Sequence, residues 1–536
     1  MRSVRVLLLP ALLIAALAVQ LSASEIKIRI VDPHSAAVAS ARVALYRAPG
    51  KAPLAVRSTT AEGAVEFRGL PPGAYRVQVL APGFAAHTQP VELKQEATLT
   101  VQLKVAPAEE TVTVTAAATP ATGAETSSDV SIIDHPVLQD MQPVSAGDIL
   151  RFAPGAIVTD TGQRGGLTEL HVRGGDTDYN KVIIDGVPVN EPGGTFDFGL
   201  VSTAQVDRIE LLRGTQSTLY GSDAMTSVVQ VFSRTGSTRT PSFSFGADGG
   251  TFQSGHGYGS VSGARSGFDY NLFGDQYNTN GQGINDQFSN STVGANLGYA
   301  FTPKIQLRFR TRHNNSFTGG QGEWNFNGAP LLPPDPDAFS RQNNFLASTE
   351  LSIASGRWYH RISGYEYNHR NFFEQGPPIP QRALLDFEAS QNSTHENRAG
   401  LNYQGEYWLR QWARTIFGYE FDDENGFINS LSPPPPVSVH GLRRNHALYG
   451  QELLTWRRFS LQAGYRYVHN ESFGDRWVPR VALSYLLVRG GDIFSGTRLR
   501  GSYAQGIKEP NFDATFGLPP FTLPNPNLKP EQNRAF

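Results

Sequence analysis

The sequence predicts a mainly β protein: a small β-sandwich, then a compact α+β unit, then antiparallel strands with the two faces of a transmembrane β-barrel. Three observations carry this expectation. From about Pro241 onward, apolar and polar residues alternate with period 2 over runs of about ten residues. Mean hydropathy is −0.31, and no stretch beyond the N-terminus is long and apolar enough to span as a helix. The 54 Gly and 35 Pro punctuate short strands, while charged residues make up only 18% of the 536. At about 150 residues per domain, that length corresponds to three or four domains. The 46 basic and 48 acidic residues nearly cancel, so no overall field marks a nucleic-acid binder. With no Cys, the chain has no disulfide framework, thiolate metal site, cysteine nucleophile or lipid-modified N-terminal Cys.

Residues 1–24 read as a secretory signal. Arg2 and Arg5 precede an apolar run over 6–19, and Ser22-Ala23-Ser24 offers a small-residue cleavage site. The run is shorter than the roughly 20 residues a spanning helix needs, which disfavours a retained anchor. The mature chain is expected to begin near Glu25, outside the cytoplasm.

Residues 25–105 alternate in short strands, at 26–31, 41–46, 65–67, 75–79 and 99–103, with turn signals between them. That spacing reads as a small β-sandwich. The stretch Phe67-Arg68-Gly69-Leu70-Pro71-Pro72-Gly73-Ala74-Tyr75-Arg76-Val77, followed by Ala81-Pro82-Gly83-Phe84, resembles the carboxypeptidase regulatory-like domain. His34 and His87 stand alone and read as solvated loop residues.

Residues 106–128 are rich in Ala, Thr, Pro and Ser and read as a linker. Within it lies the alternating hexamer Thr111, Val112, Thr113, Val114, Thr115, Ala116. Such a segment can pair along the edge of another protein's sheet, or serve as the last strand of the preceding sandwich.

Residues 129–238 form the α+β unit. Ser145 is placed to cap a helix over 146–152 that Pro154-Gly155 ends, and a second short helix is expected over 216–220. Strands are expected at 171–173, 181–185 and 206–212, between Gly-rich turns. Arg208, Glu210 and Arg213 put charge on both faces of the last, which suits a body held in a polar container.

Four motifs here occur in order: Val172-Arg173-Gly174-Gly175; Val182-Ile183-Ile184-Asp185-Gly186-Val187-Pro188-Val189; Val206-Asp207-Arg208-Ile209-Glu210-Leu211-Leu212-Arg213-Gly214; and Leu219-Tyr220-Gly221-Ser222-Asp223-Ala224. Together they resemble the plug of TonB-dependent outer-membrane receptors, with cobalamin and siderophore receptors the most similar in wording. Where that family usually continues with a Gly-Gly pair and an Asn, this chain has Thr226-Ser227 and Gln230, which questions tight backbone packing there. The resemblance implies that residues 111–116 are a TonB box, with TonB of the inner-membrane energy-transducing complex as partner. It also implies that the outward plug turns face a ligand, through Asp160, Gln163, Arg164, Asn190, Glu191, Phe196 and Phe198.

Residues 239–536 read as the N-terminal part of the barrel. Ile305, Leu307 and Phe309 share one face, with Gln306, Arg308 and Arg310 opposite, and residues 268–272 and 459–467 repeat the pattern. Tyr299, Phe301, Tyr465 and Tyr467 are candidates for interfacial girdles. Polar or Pro-rich stretches at 278–290, 319–337, 376–380, 431–437 and 510–526 read as long loops. A lumen holding a plug of about 110 residues calls for a barrel on the scale of 22 strands, whereas alternation marks only about 12 or 13. The residues Asn525-Pro526-Asn527-Leu528-Lys529-Pro530-Glu531 resemble a segment found well inside the family's barrel. Gln532 and Arg534 break the alternation that a closing strand shows before a terminal aromatic. The expectation is therefore a C-terminally truncated receptor.

No enzyme is expected: His395-Glu396 lacks a second His at metalloprotease spacing, and neither a Walker loop nor a nucleophile elbow is present. No metal or cofactor is expected, and Asp422-Asp423-Glu424 lacks calcium-ligand spacing. The implied function is TonB-driven uptake of a scarce siderophore, cobalamin or glycan across the outer membrane of a Gram-negative-type bacterium, with the sandwich and TonB box periplasmic. The implied partners are TonB, outer-membrane lipid and a small-molecule ligand such as a metal chelate or oligosaccharide. An adhesin or surface-display barrel without transport, and a non-functional fragment, are the alternatives.

Overall fold

The computed structural model describes residues 24–39, 41–50, 52–81, 84–104, 113–114, 121–122, 128–194, 196–320, 336–376, 389–430, 436–489, 496–517 and 523–536. The sandwich contains β1 (Glu25–Val31), β2 (Arg42–Arg47), β3 (Pro53–Ser58), β4 (Ala64–Arg68), β5 (Gly73–Leu80), β6 (His87–Leu93) and β7 (Glu96–Gln102). One sheet has the order β4-β1-β7 and the other β3-β2-β5-β6. Alternate residues Ile26, Ile28 and Ile30 meet Val43, Leu45, Val77 and Val79 in the shared core, as a two-layer β fold requires. The Pro-containing strands β3 and β6 were not expected from alternation. Both are at sheet edges, where a missing amide costs least.

The linker contributes β8 (Thr113–Val114) and β9 (Ala121–Thr122), which pair with each other, Thr113 opposite Thr122. Among the described residues the sandwich ends with β7, paired in parallel with β1. Thr111, Val112, Thr115 and Ala116 of the expected TonB box lie outside the described residues.

The α+β unit has β10 (Asp129–Asp134), α1 (His135–Met141), α2 (Ala146–Leu150), β11 (Ala156–Asp160), β12 (Thr168–Val172), β13 (Asn180–Ile184), β14 (Val187–Pro188), β15 (Val206–Arg213), α3 (Ser217–Tyr220) and β16 (Ser227–Ser233). Its main sheet runs β10-β15-β16-β13-β14, and β11 and β12 form a separate hairpin. Ser145 starts α2 through a capping box closed by Asp148, but the helix stops at Leu150, two residues earlier than expected. Helix α1, with Asp134 as cap and Pro136 in its first turn, was not expected; its seven residues bury only Leu138 and so carry little apolar periodicity.

The third part is a sheet of fourteen strands in sequence order. They are β17 (Ser242–Gly250), β18 (Ser254–Arg265), β19 (Phe268–Thr279), β20 (Phe288–Thr302), β21 (Ile305–Gly319), β22 (Phe339–Ser355), β23 (Trp358–Gln375), β24 (Ser390–Arg410), β25 (Ala413–Ser430), β26 (Val437–Trp456), β27 (Phe459–Asn470), β28 (Gly474–Arg489), β29 (Gly496–Lys508) and β30 (Glu531–Ala535). Strand β30 includes the polar residues that interrupt alternation; it pairs with β29 regardless, Ile507 opposite Gln532. Phe309, Ile362, Leu401, Leu448 and Leu483 are exposed on one face, whereas Arg312, Arg398, Arg443 and Arg466 are buried on the other. The strands therefore present lipid-compatible side chains outward and polar ones inward.

The α+β unit lies against that inner face. Its core includes Leu346 of β22 and Tyr367 of β23, and Leu219 of α3 packs with Ile416, Tyr449 and Leu453. Charged bonds add to this: Arg398 donates to Asn190 O at 3.0 Å, and Arg480 to Ser128 Oγ at 2.9 Å. The polarity of β15 is absorbed locally, Arg208 pairing with Glu210 at 2.8 Å and Arg213 with Asp129 at 3.1 Å.

Candidate ligand-binding site

Two turns of the α+β unit reach the end of the sheet where the connections are long. The β11–β12 hairpin is anchored by Gln163, which donates to Asp286 at 2.7 Å and accepts from the Gln282 amide at 2.9 Å. Thr318 also donates to Gly165 O at 3.2 Å. The second turn, 190–198, meets the β29–β30 connection, where the Phe512 amide donates to Pro192 O at 3.2 Å. Gly193 has φ +66°, and a Cβ there would strike the carbonyls of Glu509 and Pro510, so only Gly allows this approach.

Between the second turn and the wall is a cavity of about 90 Å³. Glu191, Phe196 and Asp197 line it from the turn, and Arg312, Asn314, Gln342, Asn344, Tyr367 and His369 from β21, β22 and β23. Arg312 donates to Ser202 O at 3.0 Å and is buried, while its Nε and Nη1 meet no protein acceptor among the described residues. His369 stands 3.4 Å from Glu191 and 2.6 Å from Asn344. Burial pushes the Glu191 carboxyl up to about 7, with the charges of Asp513, Asp178 and Asp197 adding to it. Burial also pushes Asp197 up to about 7, against the pull of the Thr168 and Gly199 amides. The cavity thus combines a buried guanidinium, neutral amides and two carboxyls poised near neutrality.

A second, more polar cavity of about 260 Å³ lies beside the β11–β12 hairpin. Arg164 grips Asp148 there with two bonds, at 3.1 and 3.0 Å. Burial pushes Asp148 up, but Arg164 and the Ser145 amide outweigh it and hold the carboxyl below its usual range. Asp160 accepts from Arg151 at 3.1 Å and from Thr168 at 2.8 Å.

Two residues expected to face a ligand do not. Asn190 is buried and bridges the backbone, accepting from Val182 N at 2.7 Å and donating to Asn180 O at 2.9 Å. Phe198 lies in the core of the α+β unit, because the short 3₁₀ turn capped by Asp197 points it inward. The wall residues of the first cavity were missed. Their signal was available in the inward parity of β21, where Arg312 continues the row of Arg308 and Arg310 opposite Leu307 and Phe309.

The four sequence motifs build turns. Arg173 (φ 53°), Gly174 (φ 74°), Asp185 (φ 52°), Gly186 (φ 85°), Gly214 (φ 90°) and Gly221 (φ 75°) adopt the left-handed conformations that join the strands. Asp185 accepts from the Ser233 amide at 2.8 Å, tying one turn to the end of β16. Where Gly-Gly was expected, Thr226 packs against Gly175 too closely for any Cβ at that position. Close packing is retained, with the glycine on the opposite side of the contact.

Residues 122–228 match the family model for the TonB-dependent receptor plug domain, and residues 298–536 match that for the TonB-dependent receptor-like β-barrel. The chain belongs to the TonB-dependent receptor family. Residues 25–106 match the carboxypeptidase regulatory-like domain. The vitamin B12 transporter BtuB of Vibrio cholerae serotype O1 is 24% identical over 444 residues, 79% of this chain and 66% of the relative. Among solved structures, the siderophore receptor PirA of Pseudomonas aeruginosa matches with TM-score 0.57 at 18% identity, covering 75% of this chain and 69% of that one. The ferric yersiniabactin uptake receptor FyuA of Yersinia pestis matches with TM-score 0.60 at 15% identity, covering 76% and 67%. The chain spans about two thirds of the length of these relatives.

The plug of this receptor carries the apical turns, and its barrel strands supply the cavity wall. Among the described residues, no helix is long and apolar enough to cross a membrane, and no group of three or more His, Asp or Glu is arranged to hold a metal ion. The acidic run on β25 is occupied by protein partners: Glu424 by Arg398 and Arg443, Asp423 by Arg444, and Asp422 by the Tyr365 hydroxyl.

Proposed function

We propose that this receptor takes up a scarce small-molecule ligand across the outer membrane, driven by TonB acting on residues 111–116. The observation that carries the reading is a plug held inside the strand wall by its apical turns, with a polar cavity where turn and wall meet. A body lodged there blocks free diffusion, so passage requires the plug to move. The amides of Asn314, Gln342 and Asn344 and the near-neutral carboxyls of Glu191 and Asp197 suit a ligand rich in oxygen atoms, as metal chelates, cobalamin and oligosaccharides are. Ligand bound there would favour release of the 111–116 segment, which can add a strand to a periplasmic partner by backbone pairing. The similarity to a B12 transporter and to siderophore receptors supports these ligand classes. The sandwich would then be periplasmic, since it lies against the short-turn end of the strands, and the 111–116 segment, which follows it in the chain, would be periplasmic with it. The plug fixed in the wall favours transport over surface display.

The test is deletion of residues 111–116 in cells whose growth depends on the receptor under iron, cobalamin or glycan limitation. Uptake should be lost while surface binding persists. Unchanged uptake in the deletion strain would refute the reading.

A further inference from the structure

The sandwich does not hang free of the strand wall. Arg42 of β2 pairs with Glu406 of β24 at 2.9 Å, and the two side chains retain only 7% and 1% of their exposure. The same guanidinium lies 3.5 Å from the ring centre of Tyr359 on β23. Trp408 is buried in an apolar cluster with Ala44, Tyr46, Val56 and Leu80 of the sandwich, and its indole N–H donates to Glu406. The Val56 amide donates to Gly356 O at 2.9 Å, so the edge strand β3 gains a backbone bond from the β22–β23 turn. Gln306 of β21 donates to Ser58 O at 3.2 Å.

Position along the strands gives these contacts their meaning. Gln306, Tyr359, Glu406 and Trp408 occupy the inward parity of their strands, opposite the exposed Ile305, Ile362 and Leu409. All four lie near the short turns. Further along the same inward rows are plug contacts: Arg312 on β21, Tyr367 on β23 and Arg398 on β24. Six to ten residues separate each sandwich contact from the plug contact on its strand, roughly 20–33 Å at about 3.3 Å per residue. Between the two levels is a charged layer containing Arg310, Glu350 and Arg361, with Arg310 and Glu350 3.7 Å apart.

We propose that the sandwich is a second closure of the conduit, seated in its short-turn mouth in series with the plug, and that it leaves the mouth when cargo passes. The inference rests on the uptake reading above. Glu406 also has Arg414 of the wall 3.6 Å away, so it is Arg42 that would be stranded on undocking. A buried cation enclosed by an aromatic ring and an apolar cluster makes a seat with one register, because leaving it there without its carboxylate is costly. The linker joins the sandwich to the plug, so a pull on residues 111–116 loads both closures.

The absence of Cys in the sequence allows a test that needs no ligand. Ser363→Cys places a single thiol on the inward row of β23 between the two levels, and a bulky, membrane-impermeant maleimide is supplied from the periplasmic side. In the otherwise unaltered full-length chain, labelling should be slow. Arg42→Glu, or independently Trp408→Ala, should accelerate it roughly tenfold or more, since a seat of this strength holds the open form well below a tenth. Arg42→Lys, which keeps a cation opposite Glu406, should label more slowly than Arg42→Glu, which separates loss of docking from loss of folding. Fast labelling without any undocking change would overturn the closure. So would rates unaffected by both undocking changes in a sandwich that still resists proteolysis. Slow labelling in a receptor that transports none of the iron, cobalamin or glycan probes would instead sink the uptake reading and leave the closure standing.

Discussion

Glu424 is the strongest single point at which wall and plug are joined. Its two carboxylate oxygens face two guanidiniums: Oε1 is 2.7 Å from Arg398 and Oε2 is 2.6 Å from Arg443. Each arginine in turn holds backbone outside its own strand. Arg398 donates to Asn190 O in the plug at 3.0 Å, and Arg443 to Pro510 O in the β29–β30 connection at 2.9 Å. All three side chains are buried. Glu424→Ala removes the shared counter-charge and leaves two cations in a poorly solvated place, with Glu509, 3.2 Å from Arg443, as the remaining acidic partner. Breaking a buried pair from one side costs about 3–5 kcal/mol. At about 1.4 kcal/mol per factor of ten, protection against hydrogen exchange in β13 of the plug should fall by about two to nearly four orders of magnitude. The assay is exchange of the Asn180–Ile184 amides in the purified receptor, read by mass spectrometry. The triple change Arg398→Met, Glu424→Leu, Arg443→Met, which leaves no charge to strand, should recover most of that protection. Protection in Glu424→Ala within tenfold of the unaltered protein would refute the idea that this cluster pins the plug.

Two further outcomes are expected. Asp197 keeps its proton up to about pH 7 in the folded plug, whereas the unfolded chain releases it near 4. The folded state then binds more protons across that window, so plug stability should fall as pH rises from about 4 to 7 and level off above it. Asp197→Asn, which retains an acceptor for the Thr168 and Gly199 amides, should flatten that slope in thermal unfolding monitored across pH 4–8; an unchanged slope would assign the titration elsewhere. Gly175→Ala should destabilise the plug by about 1–3 kcal/mol through overpacking against Thr226. Thr226→Gly should relieve that clash at the separate cost of its hydrogen bonds to Tyr179 O and Asn180 Oδ1, and a double-mutant cycle showing no coupling would refute the packing account.

Much of this receptor is decided locally and is therefore legible in the sequence. A period of two with aromatic and aliphatic residues on one parity specifies a two-faced strand whatever surrounds it, so most of the wall could be read from residues such as Ile305, Leu307 and Phe309. The plug turns were legible because a left-handed backbone restricts which residues can stand at Gly174, Gly186 and Gly221. Alternation states which face a residue takes but not what lies against that face. Arg312 continues the inward row of Arg308 and Arg310, yet only the fold sets it and Glu191 around one cavity. Asn190 and Phe198 belong to a turn whose composition suits recognition, and only tertiary packing commits one to bridging the backbone and the other to the core. The seat of the sandwich is the extreme case: Arg42 and Glu406 are 364 residues apart, and neither strand's pattern encodes the other. Short-range periodicity and backbone stereochemistry determined the parts of this protein; the pairing of buried charges across long sequence separations, which depends on three-dimensional proximity, decided how those parts close on one another.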